Sequence, residues 1–313
     1  MNKFEKVTKS LMWPMAVLLA VLAVGCGKDP ILGGGGGRAG SGLQPVDLGA
    51  ASTYGIAATA GVTNTPTAPI THIEGNVILS PLDQCNTVTV DNAGGFGLCG
   101  GSPPTINGTV VTDTYPDAGI TSAAVRAGMN AAFLSITPPA GPPAAGSLGG
   151  ATNLPAGTTL GAPAGNPYVQ NDNWFVPGVY QSLTSIMVTG DLTLDAQGDP
   201  NASFIFQSSS TVGTAAGAAP PGVRTRILLI NGAVASNVFW QVASDATLGA
   251  YSEFQGNILA AGDITMVTGA TSCGRLYAGA WVGGAGAFVF DSNMVSVPGQ
   301  PFAPPATYST TCE

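Results

Sequence analysis

The sequence predicts a mainly β protein, an irregular parallel β-solenoid with one long α-helix packed alongside. Three observations predict it. Short β-rich runs ending in glycine corners recur at intervals of 17 to 20 residues, a spacing that suits one solenoid turn of three short strands and three corners. One segment, 116–136, breaks that pattern with helical spacing. The composition completes the argument: 45% of residues are hydrophobic, so the chain can bury a core, and only 8% are charged. A β-sandwich of many short strands is the structural rival.

The first element is a targeting segment. Lys3, Lys6 and Lys9 precede an apolar run over 11–24 that is short for a membrane span. The run ends in Leu22-Ala23-Val24-Gly25-Cys26, which resembles a bacterial lipobox, with Ala23 where leucine is usual. That reading makes 1–25 a lipoprotein signal peptide and places a diacylglycerol on Cys26. An ordinary signal peptide is the alternative. Gly27 rather than aspartate follows the cysteine, so the expected location is the outer membrane or cell surface, or secretion if no lipid is added. Residues 26–45, with an unbroken glycine run at 33–37, read as a flexible tether.

The body is expected over 46–298, with a C-terminal tail at 299–313. Four cysteines remain for it: Cys85, Cys99, Cys273 and Cys312. An even number in an exported chain favours disulfides. Cys85 with Cys99 would close a short glycine-rich loop, and Cys273 with Cys312 would pin the tail; three pairings are possible. Zinc is disfavoured because there is no C-x-x-C.

The helix is expected within 116–136, where Ile120, Ala124, Ala127, Ala131 and Leu134 fall on one face. Asp117 suits its positive end and Pro138-Pro139 stop it. The stretch 138–167, rich in Pro, Gly and Ala, reads as a long connection. The repeats follow. Gly256-Asn257-Ile258-Leu259-Ala260 matches Gly274-Arg275-Leu276-Tyr277-Ala278 at an offset of 18, whereas Asn237 leads Asn257, and Gly249 leads Gly269, by 20.

Composition also excludes functions. The chain is acidic, at −8, and all four lysines lie in the first 28 residues, so no phosphate-binding footprint exists for nucleic acid. His72 is the single histidine, which leaves no material for a histidine triad or a multi-histidine metal site. His72 beside Glu74 reads as a surface pair. Asp191, Asp195 and Asp199 could suggest calcium, but a turn at Asp199-Pro200-Asn201 makes them structural. Trp174, Trp240 and Trp281 read as core or corner residues rather than sugar platforms.

Two longer motifs then carry a resemblance. Gly190-Asp-Leu-Thr-Leu-Asp-Ala-Gln-Gly-Asp-Pro-Asn-Ala-Ser-Phe-Ile-Phe-Gln207 and Asn237-Val-Phe-Trp-Gln-Val-Ala-Ser-Asp-Ala-Thr-Leu-Gly249, with Phe254-Gln-Gly-Asn-Ile-Leu-Ala260 after it, resemble the DUF3494 family of ice-binding proteins. Pro177-Gly178-Val179-Tyr180 and Val46-Asp47-Leu48-Gly49 stand where the family's other markers are expected. The resemblance implies a discontinuous right-handed β-helix of triangular section. It also implies adsorption to ice crystals through one flat β face, restraining growth and recrystallisation, with no cofactor, metal or catalytic centre. The partners expected are an ice surface and, through Cys26, a lipid membrane, with the body a monomer.

A receptor for ice should be flat, rigid and poorly charged, and threonine joins a methyl to a hydroxyl on a stiff β-branched side chain. Thr268-Gly269-Ala270-Thr271 resembles a pattern found on such faces, and Thr189-Gly190 and Thr247-Leu248-Gly249 read as equivalent corners. The expected contacts are Thr189, Thr193, Thr247, Ser252, Thr265, Thr268 and Thr271, extended by Thr59, Thr63 and Thr65. Asp191, Asp245 and Glu253 put charge near these corners, and threonine is common in any exposed strand. The rival function is a β-helical adhesin or carbohydrate-active enzyme, for which Arg224, Arg226 and Arg275 would be the only bases or clamps.

Overall fold

The structure, a computed structural model, describes residues 43, 46–90, 99, 103–116, 119–138, 151–300 and 312. All belong to one compact unit, 40–313. The signal peptide, Cys26, most of the tether, Asp117 and residues 301–311 of the tail lie outside the described residues.

Among the described residues three almost wholly parallel sheets, of nine, nine and eight strands, run along this unit. Each coil gives one strand to each sheet in turn, here called A, B and C. Val238–Val242 lies in A, Ala246–Leu248 in B and Glu253–Gln255 in C, and Asn257–Ala260 then returns to A. Gln241 pairs with Leu259, and Leu259 with Tyr277, so the physical repeat in this region is 18 residues. The 20-residue alignments fall out of register: Phe239 faces Asn257, and Thr247 faces Thr265. Earlier coils are longer because their corners carry loops; Val179 pairs with Ile205, and Ile205 with Phe239. Among the described strands pairing is parallel, apart from the hairpin of Gln84–Cys85 with Val88–Thr89, which removes the β-sandwich.

The stack is discontinuous in sequence. Ala57 pairs with Tyr277 on one side and Ile78 on the other, so the first coils of the chain sit on its last one. The chain thus reaches Val110–Thr112 at one end of sheet A and must resume at Thr152–Asn153 at the other end. Eight strand spacings separate them, about 38 Å. The α-helix, Ser122–Ser135, covers about 21 Å of that distance. A helix satisfies its own backbone, so it can travel over an apolar sheet without leaving polar groups stranded.

The helix docks by a different face from the one expected. Ala124, Ala127, Ala131 and Leu134 are exposed, while Val125, Met129, Ala132, Phe133 and Ile136 are buried against Tyr54, Ile78, Val111, Phe239 and Tyr277 of sheet A. Both stripes have helical period, and the side chains with more apolar area take the inside. Thr121 caps the helix, accepting the Ala124 N–H at 3.2 Å, in the role expected of Asp117. At Gly128 a Cβ would come within 2.7 Å of the Leu48 carbonyl oxygen, so a glycine lets the helix touch the 3-10 turn Gly49–Thr53. The long connection expected over 138–167 also needs correction, because Thr152–Asn153 and Thr158–Leu160 already belong to the first coil of sheets A and B.

Inside the coils, residues in register stack on one another. Tyr180, Phe206 and Trp240 form one column, with ring centroids 5.3 and 4.2 Å apart. Cys85 is joined to Cys99 and Cys273 to Cys312, the second bond holding Cys312 buried beside Ala235, Leu229 and Met294.

Candidate functional site

Three sheets give three outer faces, and two are already committed. The outside of sheet A lies under the helix. The outside of sheet C is charged. Arg226 grips Asp191 with two hydrogen bonds of 2.9 and 2.7 Å, Arg224 pairs with Glu253 at 2.6 Å, and His72 meets Glu74 at 2.8 Å. Burial pushes the Glu253 carboxyl above its ordinary range, against the pull of Arg224 and Arg226. Asp195 accepts from Trp174 and Asn231, and Asp199 accepts the Asn201 N–H, so the aspartates serve corners and ion pairs.

The outer face of sheet B is open. Its strands are mostly three residues long, as in Ile186–Val188, Ala246–Leu248 and Ile264–Met266, with the outer two side chains buried. Each strand therefore offers one central residue to the outside. Register aligns these residues in one row: Thr159, Met187, Gly213, Thr247, Thr265, Val289, Thr63. Neighbours in the row stand about 4.8 Å apart, as the strand spacing requires. None carries a charge. A Cβ on Gly213 would lie 3.2 Å from the Met187 Cε, so the methionine leans over the gap that the glycine leaves.

Charge is held at the borders of this face. Asp245 accepts the Asp263 N–H, and Asp263 the Ala287 N–H, each at 2.8 Å, tying successive coils together where the strands begin. On the other border Thr65 faces Asp291, and Asp291 accepts the Thr268 hydroxyl.

The expected contacts divide on this geometry. Thr247, Thr265 and Thr63 stand in the central row, and Thr189 and Thr65 are exposed beside it. Thr268 is half-buried at the border with its hydroxyl spent on Asp291. Four others are buried away from the face. Thr193 faces Trp174 and Leu228 on sheet C, and Thr271 begins a strand of the same sheet. Ser252 is sealed in a corner between Thr214 and the Gly249 carbonyl, and the Thr59 hydroxyl bridges Gly284 and Gly286. The Ser252 and Thr59 hydroxyls hold corners, the Thr271 hydroxyl reaches the Ser252 carbonyl at 3.5 Å, and Thr193 is buried in mid-strand. Sequence reading missed Thr159, Met187, Gly213 and Val289. The available signal was a single residue flanked by two buried apolar ones, as in Ile186-Met187-Val188.

A family model described as Ice-binding-like matches residues 56–283. The chain belongs to this family of ice-binding-like proteins. It is 30% identical over 240 residues to an ice-binding protein of Flammulina populicola, covering 76% of this chain and 84% of that one. A shorter match, 46% over 121 residues, links it to an ice-binding protein of Nostoc sp. (strain HG1); it takes in 38% of this chain and 40% of that protein, less than half the relative's length. Among solved structures it is similar to the crystal structure of the ice-binding protein from the Antarctic ascomycete Antarctomyces psychrotrophicus, with 31% identity, a TM-score of 0.58, and coverage of 82% and 98%.

Proposed function

We propose that this chain binds ice through the outer face of sheet B and so restrains the growth and recrystallisation of ice crystals. The observation that carries the reading is the uncharged row from Thr159 to Thr63, one residue per coil, held flat by a parallel ladder. Ice is an uncharged lattice, so a fixed charge gains little from it and holds water in other geometries. Methyls and hydroxyls on stiff side chains can instead order surface water in a repeating pattern. Each contact is weak, and affinity comes from many made at once on a rigid body. A bound face pins the ice front, which must then bulge between adsorbed molecules, and that curvature opposes further growth.

Family membership supports the reading, since the names of the similar proteins describe ice binding. Export and anchoring belong to the same proposal. Cys26 carries lipid, the tether lets the monomeric body stand off the membrane, and the sheet B face meets ice outside the cell. Among the described residues no helix is long and apolar enough to cross a membrane. The test is ice recrystallisation inhibition by the purified mature chain. Grain growth that is slowed at micromolar protein supports the proposal, and grain growth equal to that with a non-binding globular protein contradicts it.

A further inference from the structure

We infer that the cleft between the α-helix and the glycine-rich loop 279–286 binds a small organic anion, with its carboxylate on Arg126 and its apolar body against Trp281. The cleft has a volume of about 500 Å³ and lies at the corner between sheets A and B, lined by none of the residues of the sheet B row. Such a volume is in the usual range of small-molecule sites.

Its polarity is one-sided. Arg126 and Asn130 are four residues apart on the helix, so both side chains project from the same face into the cleft. The rest of the lining is mainly apolar, with Met129, Trp281 and Ala285 as walls. Trp281 is 45% exposed yet fixed, its ring edge-to-face with Phe133 at 5.6 Å. The Thr59 hydroxyl at the rim is already used by Gly284 and Gly286. That leaves the guanidinium and the Asn130 amide as the groups that can hold a ligand's polar end.

Arg126 is unlike the other described cations. Arg224 and Arg226 are paired with carboxylates, Arg275 donates to the Ser52 carbonyl, and His72 meets Glu74. The Arg126 Nε is buried and makes no hydrogen bond. Asp113 feels this guanidinium only through its field; its own hydrogen bonds go to Ser80, at 2.7 Å, and Ser122. A ligand in the cleft meets the terminal nitrogens of the guanidinium, which no hydrogen bond or ion pair engages among the described residues. Guanidinium geometry suits a carboxylate, which accepts two parallel N–H bonds. The apolar walls select an acid with a hydrocarbon body over a bare inorganic ion.

The experiment uses the full mature chain with hexanoate and benzoate as probes, hexanamide as the neutral control, and inorganic phosphate as the bare anion. Expected are a saturable rise in melting temperature with the two acids and a change in tryptophan fluorescence that disappears in Trp281→Phe. Hexanamide should bind at least about tenfold more weakly, the size of one charge-assisted hydrogen bond. Arg126→Met should abolish acid binding and Arg126→Lys should weaken it, and both should keep full ice activity. Binding of neither acid overturns the inference, as does acid binding that survives in Arg126→Met. Phosphate binding without acid binding overturns the apolar half of the site. Loss of ice activity would leave this cleft untouched, so the two proposals fail separately.

Discussion

At the scale of the residue, neighbouring threonines differ because one faces outward and the other holds a corner. Thr265 projects from the centre of a strand, while Thr268, three residues later, gives its hydroxyl to Asp291 at the border. Thr268→Val should therefore cost stability, by about 1 kcal/mol for the lost hydrogen bond to a half-buried carboxylate. Its effect on thermal hysteresis should be smaller than that of a bulky change at Thr265. Equal melting temperatures for Thr268→Val and the wild type would show that the bond to Asp291 contributes nothing. Sequence placed Thr63, Thr247 and Thr265 among the contacts, and it placed Thr193, Ser252 and Thr271 there too. A three-residue strand has too little alternation to reveal which hydroxyl points out, and buried corners and the buried middle of a sheet C strand use the same residue types as exposed faces.

At the scale of the element, the helix was legible in its position and illegible in its orientation. Pro138 ended it and the period marked it, but alanine is compatible with either side, so two stripes competed. The structure puts Ala132 in contact with sheet A and leaves Ala131 in solvent. Ala132→Leu should overpack that contact and cost about 1–3 kcal/mol. Ala131→Leu should change stability by no more than about 0.5 kcal/mol. Thermal unfolding of the two variants tests the docked face, and the reverse ranking would restore the alanine stripe as the buried one. The repeat was partly legible for a similar reason. Where coils have no inserted loops, as from Asn257 to Tyr277, the 18-residue offset stands out; longer corners hide it elsewhere.

At the scale of the whole molecule, the solenoid class was readable, because glycine corners and apolar runs are local signals; the four cysteines pointed to two disulfides but left three pairings open, since Cys273 and Cys312 stand 39 residues apart. The stacking of the first coils on the last was not readable from the residues themselves, since Ala57 and Tyr277 are distant in sequence and share no pattern. It entered only through the family resemblance. The tail is tied back through Cys312, and Cys312→Ser should lower stability by about 2–4 kcal/mol, measured as denaturant unfolding of the oxidised chain. An unchanged midpoint would mean that the crosslink constrains nothing. For the anchor, cells fed labelled palmitate should incorporate it into the wild type and not into Cys26→Ser; export of wild-type protein without label would remove the lipid from the account.

The central claim is that ice is bound by the outer row of sheet B. Thermal hysteresis of Thr247→Tyr and Thr265→Tyr in the full mature chain tests it most directly. Both residues lie mid-row and next to each other, with Thr247 exposed and Thr265 half-buried. A tyrosine at either would lift adjacent coils off the lattice. The account predicts that each variant loses most of its hysteresis while its melting temperature stays within a few degrees of the wild type, because neither side chain fills the core. Full hysteresis in both well-folded variants would contradict it.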